Sequence, residues 1–227
     1  MINMKKGFTL SEVLITLGIV GVVAVLAIPG VMRNYQNRLY TAQLQKIYAQ
    51  ISDATQSIMN DQHVDNFYET TAGRELSIIN ATTGACTGGI CDFLQQYFKT
   101  IKKNCHNNTT DACFTTKTGV YKTLDGTSVN ATNKIYFVQT ITGASIGGVL
   151  TATAPRRVQL VIDINGLAEP NIIGRDVFSL EVRENGTLTD IGDAKGDVCT
   201  EGATSSIYTA PQGCLNRIIE DGWKMEY

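Results

Sequence analysis

From Lys5 to Pro29 the chain reads KKGFTLSEVLITLGIVGVVAVLAIP, two lysines and a glycine followed by a long apolar run. The run is roughly 20 residues long, the length a helix needs to cross about 30 Å of hydrocarbon. A helix that is apolar on every side has no solvated face to turn outward, so it must be covered by lipid or by other helices. The rest of the chain has to fold around that demand. One ionisable residue, Glu12, lies near the start of the run. A carboxylate in such a span is costly, and groups of this kind are usually retained for a function.

The order of residues around Glu12 is specific: a basic pair, Gly7, Phe8, Thr9, Leu10, Ser11, Glu12, then the apolar run. It resembles the N-terminus of a type IV prepilin or a type II secretion pseudopilin. The resemblance implies that residues 1–7 are a leader, cut by prepilin peptidase between Gly7 and Phe8, and that Phe8 is then N-methylated. Glu12 would neutralise the terminal amine of the next subunit and set the axial register. The partners implied are other pilin subunits, the peptidase, and an assembly platform with its motor. The precursor would sit in the inner or cytoplasmic membrane as a single-pass protein. The mature protein would enter an extracytoplasmic or cell-surface filament. A pseudopilin of a type II secretion or DNA-uptake system shares every one of these N-terminal features. A different class also fits the span, a single-pass membrane-anchored binding module that never polymerises.

Charge and cysteine usage narrow the choice further. The formal charge of −2 over 227 residues, with no basic stripe, argues against nucleic acid as the main partner. Six cysteines, Cys86, Cys91, Cys105, Cys113, Cys199 and Cys214, are an even set. In a chain with an export signal that implies disulfides and an oxidising compartment. An ordinary secretory signal is cut after its apolar region. Here the candidate cut precedes it, so the apolar helix stays on the mature protein. Lys5 and Lys6 before the span are balanced by Arg33 and Arg38 after it, so loop charge does not set the orientation.

Leu44, Ile47, Tyr48, Ile51, Ala54, Thr55 and Ile58 recur at spacings of three and four, the pattern of an amphipathic helix. Residues 8–30 are thus the transmembrane or assembly half of one long helix, 31–60 its amphipathic half, and 61–227 a globular head. Pro29, followed by Gly30, predicts an interruption, because proline removes a donor and clashes with the preceding turn. The expected result is a kink, with unwinding between Gly21 and Pro29; the resemblance adds that such a segment can be extended in filaments. Gly18 and Gly21 could equally be small residues for close helix packing.

In the head, neighbouring cysteines are expected to pair, closing the loops 86–91, 105–113 and 199–214. A short helix is expected on Phe93, Leu94, Tyr97, Phe98 and Ile101. Strands are expected at Val120–Leu124, at 134–141, at 156–164 with Val158, Leu160, Ile162 and Ile164 on one face, and at 176–183 with Val177, Leu180 and Val182 roughly aligned. Asp125-Gly126 and Asn185-Gly186 read as turns. A C-terminal helix on Leu215, Ile218 and Ile219 should end at Gly222, with Trp223 on the core. The fold class expected is therefore α+β, a long helix packed on an antiparallel sheet, and the resemblance implies a pilin-like ladle.

Two further patterns bear on chemistry. Asp163, Asn165 and Asp176 place oxygen donors in one connection and are a Ca²⁺ candidate. The EF-hand spacing fails, since Gly166 is fourth from Asp163, and the favoured reading is an Asx-type turn with no metal or cofactor. No HExxH, GxSxG, P-loop or paired CxxC occurs, so the chain reads as a non-enzyme. His63 marks the end of the long helix rather than a base, and His106 lies in polar loop text. The cysteine spacings are not those of zinc modules. The sequon Asn80-Ala81-Thr82 is what chance produces in Asn- and Thr-rich loops.

Overall fold

A threonine three residues before a glutamate starts the long helix. In the computed structural model, Thr9 is extended and its hydroxyl accepts the N–H of Glu12, while the Glu12 carboxylate accepts the N–H of Thr9, a reciprocal capping box. The helix α1 then runs from Leu10 to Asp61, 52 residues. The structure describes residues 7–80, 85–103, 105, 112–115, 117, 119–129, 136–151, 155–193, 195–196, 199 and 213–227. The leader residues 1–6, Thr82 of the sequon, His106, and the loop stretches 106–111 and 200–212 lie outside them.

The α1 helix continues unbroken through Gly21 and Pro29. The unwinding expected between Gly21 and Pro29 is thus absent from this chain. Proline costs the helix one bond of its ladder, but propagation on both sides is cooperative and the exposed turns find no competing partner.

The second half of α1 lies in the core. Leu44, Ile47, Ile51, Ala54, Thr55 and Ile58 are buried, as their spacing requires, and Tyr48 is half-buried. Past the helix come the short α2 (Thr71–Arg74), a two-stranded ribbon of β1 (Ile78–Ile79) and β2 (Cys86–Thr87), and α3 (Gly89–Gln96). Phe93 and Leu94 bury from α3, but Ile101, expected on that helix, instead lies exposed in β3 (Thr100–Lys102).

The main sheet is an antiparallel meander of six strands in sequence order: β3, β4 (Tyr136–Thr140), β5 (Ser145–Leu150), β6 (Val158–Asp163), β7 (Val177–Val182) and β8 (Leu188–Asp190). Its helix-facing side carries Val138, Ile146, Val158, Leu160, Ile162, Phe178, Leu180 and Val182. Strand alternation sends Val161 and Val177 to the other face, so Val177 does not align with Leu180 and Val182 as expected. That second face is also covered. Phe114 stacks between Tyr121 and Phe137, with ring centroids at 4.6 and 3.9 Å, over a small core with Val129 and Ile173. At Gly147 on β5 an added Cβ would run into the Phe137 ring.

The strand expected at Val120–Leu124 belongs to this cover and not to the sheet. It makes only single bridges, from Lys122 to Ser128 and to Ile172. The Asp125-Gly126 turn is present, closed by the Gly126 N–H on the Thr123 carbonyl at 2.9 Å.

The three neighbour disulfides form: Cys86–Cys91, Cys105–Cys113 and Cys199–Cys214. The last ties the 199 region to α4 (Cys214–Glu220), which ends at Gly222 in the left-handed conformation. Trp223 then packs edge-on against Tyr48 of α1, with centroids 5.4 Å apart.

Polar contacts lock α1 onto the β7–β8 hairpin. Thr55 Oγ1 donates to the Gly186 carbonyl at 2.8 Å, and Tyr48 donates to the Leu188 carbonyl at 3.3 Å. Gly186 has φ 78° and a Cβ there would meet Gln56 of the helix, so both the turn and the close approach require glycine. Thr55→Val keeps the side-chain shape and removes this donor. We expect it to cost about 1–3 kcal/mol, the penalty of stranding a buried polar group. Urea unfolding followed by the fluorescence of Trp223, the only tryptophan in the chain, should show a lower midpoint at unchanged slope.

Candidate functional site

Two regions hold the candidate residues. At the N-terminus, Gly7, Phe8 and Thr9 precede the first helical turn, and Phe8 is 89 % exposed. A peptidase needs an accessible, non-helical bond, and Gly7–Phe8 is one. From Leu10 to Tyr35 α1 presents Leu14, Ile19, Val25, Leu26 and Val31 to the outside, Leu26 at 77 % exposure against 0 % for Leu44 on the same helix. This is a helix long and apolar enough to cross a membrane.

Glu12 is the one charged side chain between Phe8 and Met32. Its Oε2 accepts from the Thr9 backbone N–H and from the Thr9 hydroxyl, both at 2.8 Å. The carboxylate is therefore held at the helix start, pointing back toward the candidate cleavage site. Thr9 is the partner that sequence reading passed over. The signal was there in the Thr-x-x-Glu spacing, which is the capping-box pattern.

Residues 2–28 match the family model of the prokaryotic N-terminal methylation motif. This is a prepilin-type N-terminus. Together with the exposed apolar helix and the helix-on-sheet head, the motif supports a precursor of the type IV pilin or pseudopilin kind. No curated protein and no solved structure matches the chain. The α+β architecture of the prepilin-like chain agrees with the ladle expected from its sequence.

The second region is the connection between β6 and β7, where Asp163, Asn165 and Asp176 do come together. Both carboxylates are fully buried. Asp176 organises the connection: Oδ2 accepts the Asn171 N–H at 2.8 Å and Oδ1 the Ile172 N–H at 2.6 Å. Asp163 Oδ2 accepts the Tyr121 hydroxyl at 3.2 Å. Burial pushes the Asp176 carboxyl up to about 6, against the pull of those two N–H groups. Burial, and then the neighbouring Asp176 charge, push Asp163 well above the usual carboxylate range; Tyr121 and the N–H groups of Asn165 and Gly166 pull it back in part.

Asn171, in the same stretch of sequence, belongs to this group as well, since its N–H is held by Asp176 Oδ2. Among the described residues no three His, Cys, Asp or Glu side chains cluster as metal ligands. The donors here are two carboxylates and two amides. His63 lies just past α1 with φ 53°, exposed, at the helix end as expected. All six cysteines are in disulfides and offer no thiolate to zinc.

Proposed function

We propose that the protein is a structural subunit of a type IV pilus-like filament. Prepilin peptidase cuts between Gly7 and Phe8 and methylates the new amine. The subunit then polymerises through the apolar half of α1. The observation that carries this reading is the methylation motif of residues 2–28, which takes in most of an apolar helix half that the head of the same chain leaves bare. Such a surface is stable only in lipid or against other helices. The precursor meets that need in the membrane and the polymer meets it with neighbouring stems.

Glu12 supports a register role. In the single subunit its carboxylate is held by a hydroxyl and an amide. Cleavage creates a cationic amine on Phe8, and pairing with that amine on the next subunit exchanges neutral donors for a charge-assisted bond in a low-dielectric bundle. The heads form the outer surface, and an assembly platform and motor drive insertion. Gly21 and Pro29 are where neighbouring stems could draw the helix out, since Pro29 already lacks one bond of the ladder.

Intact mass and N-terminal sequencing of protein from its native cell test the reading. The expected chain begins at Phe8 and is heavier by one methyl group. A chain still beginning at Met1 would refute it and favour a membrane-anchored binding module.

A further inference from the structure

Where α1 leaves its apolar run it meets the C-terminal tail, and the two enclose a groove of about 930 Å³. One wall is the helix between Gly30 and Gln45, and the other is the tail from Trp223 to Tyr227. Three contacts fix the tail in place. Trp223 packs edge-on against Tyr48, Asn37 Nδ2 donates to the Met225 carbonyl at 3.1 Å, and the Tyr227 hydroxyl donates to the Gly174 carbonyl. Asn37 and Met225 are both buried, so the groove is built into the fold.

The groove is cationic. Arg33 and Arg38 from the helix and Lys224 from the tail border it, against the single carboxylate of Glu226, and all four residues are exposed. Among the described residues no ion pair engages Arg33, Arg38 or Lys224. Like charges gathered from two walls repel one another, and an anion between them removes that cost. Position along the helix says which anion is at hand. The apolar run ends at Met32, directly before Arg33. A run of roughly 20 residues fills about 30 Å of hydrocarbon, and the headgroup layer adds about 5–8 Å on each side. Arg38 lies about 7.5 Å beyond Arg33 along the axis, so both arginines stand at the depth of lipid phosphates. The groove also opens at Gly30 onto the bare apolar face, where Ile28 and Val31 are 56 % and 66 % exposed.

We propose that this groove holds the headgroup of an anionic phospholipid whose acyl chains lie along the apolar half of α1. The two halves of the ligand match two adjoining surfaces of the protein. Guanidinium groups present forked donors to phosphate oxygens, and Asn34 on the same wall adds an amide donor. Beyond Gly30 the apolar stem offers the chains the contact that a free phosphate ester cannot use. A zwitterionic lipid carries its own cation beside the phosphate, which the unpaired Arg38 and Lys224 would repel, so the groove selects a net negative charge. A lipid held there would fix the height of the head above the bilayer. The inference rests on the membrane-embedded precursor of the proposed function, but not on cleavage or polymerisation, so the two can fail separately.

The test is native mass spectrometry of the full chain in neutral detergent micelles carrying equal amounts of phosphatidylglycerol and phosphatidylcholine. Neither peptidase nor filament enters the assay. One phosphatidylglycerol per chain is expected to be retained, in preference to phosphatidylcholine by about tenfold or more. Arg38→Gln on the helix and Lys224→Gln on the tail each remove an exposed cation and are expected to fold as the parent does. Each should lower retention about fivefold, the worth of one cation at an anionic surface. Trp223, the only tryptophan, lines the groove, and its fluorescence should change on titration with phosphatidylglycerol and not with phosphatidylcholine. Equal retention of the two lipids would overturn the site. So would undiminished retention in Lys224→Gln, because the tail would then be no part of it. Glycerol phosphate binding as tightly as the lipid would overturn the assignment to a lipid. Lipid-free dimers that Lys224→Gln separates would assign the groove to a second copy and overturn it equally.

Discussion

Glu12→Ala is expected to leave peptidase cleavage at Gly7–Phe8 intact and to lower the filament-bound share of subunits by about tenfold or more, the consequence of leaving a buried amine without its counter-charge. Cleavage survives because the cut bond lies outside the helix, on exposed residues. Alanine also removes the N3 half of the capping box, so a second variant is needed to separate charge from capping. Glu12→Gln can still accept from the Thr9 N–H and keeps the helix start. It should fail in assembly as badly as alanine if the charge sets the register. Shearing filaments from cells and measuring the subunit in the filament and membrane fractions decides the matter. Normal incorporation of Glu12→Gln would sink the register role while leaving the capping role in place.

Truncation in the second half of the same helix should act on folding instead. Ile51 is fully buried between α1 and the sheet, and Ile51→Ala is expected to cost about 2–5 kcal/mol, the transfer loss plus the cavity left behind. For a chain of this length that corresponds to a fall of about 5–15 °C in the unfolding midpoint. Val20→Ala, on the exposed half, should move subunit stability by no more than about 0.5 kcal/mol. On the proposed filament reading it should weaken incorporation, because neighbouring stems would cover that face. The pair of variants in one helix thus separates folding from assembly. Equal stability losses at both positions, measured by Trp223 fluorescence in detergent, would contradict this division.

The division was legible in the residues before any coordinates. An apolar run on all sides followed by a strict three-and-four spacing can only be a helix that changes environment part-way along, and burial begins on α1 at Asn37. Neighbour pairing of the cysteines was an expectation that the sequence alone could not decide among 15 arrangements, and the fold brings those neighbours together. The Asn185-Gly186 turn was legible because its backbone needs φ > 0 and glycine supplies it.

Other features rest on long-range packing, which local patterns do not encode. Val120–Leu124 has strand-like composition, but the six strands were already complete and its aromatic Tyr121 was drawn onto the second face by Phe114 and Asp163. Ile101 has the spacing to continue α3, yet the chain there pairs with β4. Pro29 signals a break from its chemistry alone, but whether a helix breaks depends on what competes for its freed groups, and α1 runs on through Pro29 in this chain. Asp163, Asn171 and Asp176 lie in one stretch of sequence, but how they meet was decided in space, where the Asp176 carboxylate accepts the Asn171 and Ile172 N–H groups and folds the connection back on itself. The sequence by itself determined where the chain is apolar, where it turns and how its N-terminus is addressed, since those follow from residue chemistry over a few positions. Tertiary structure alone decided which faces of the sheet are covered and which cations share the groove beside α1, since both depend on segments far apart in the chain meeting in space.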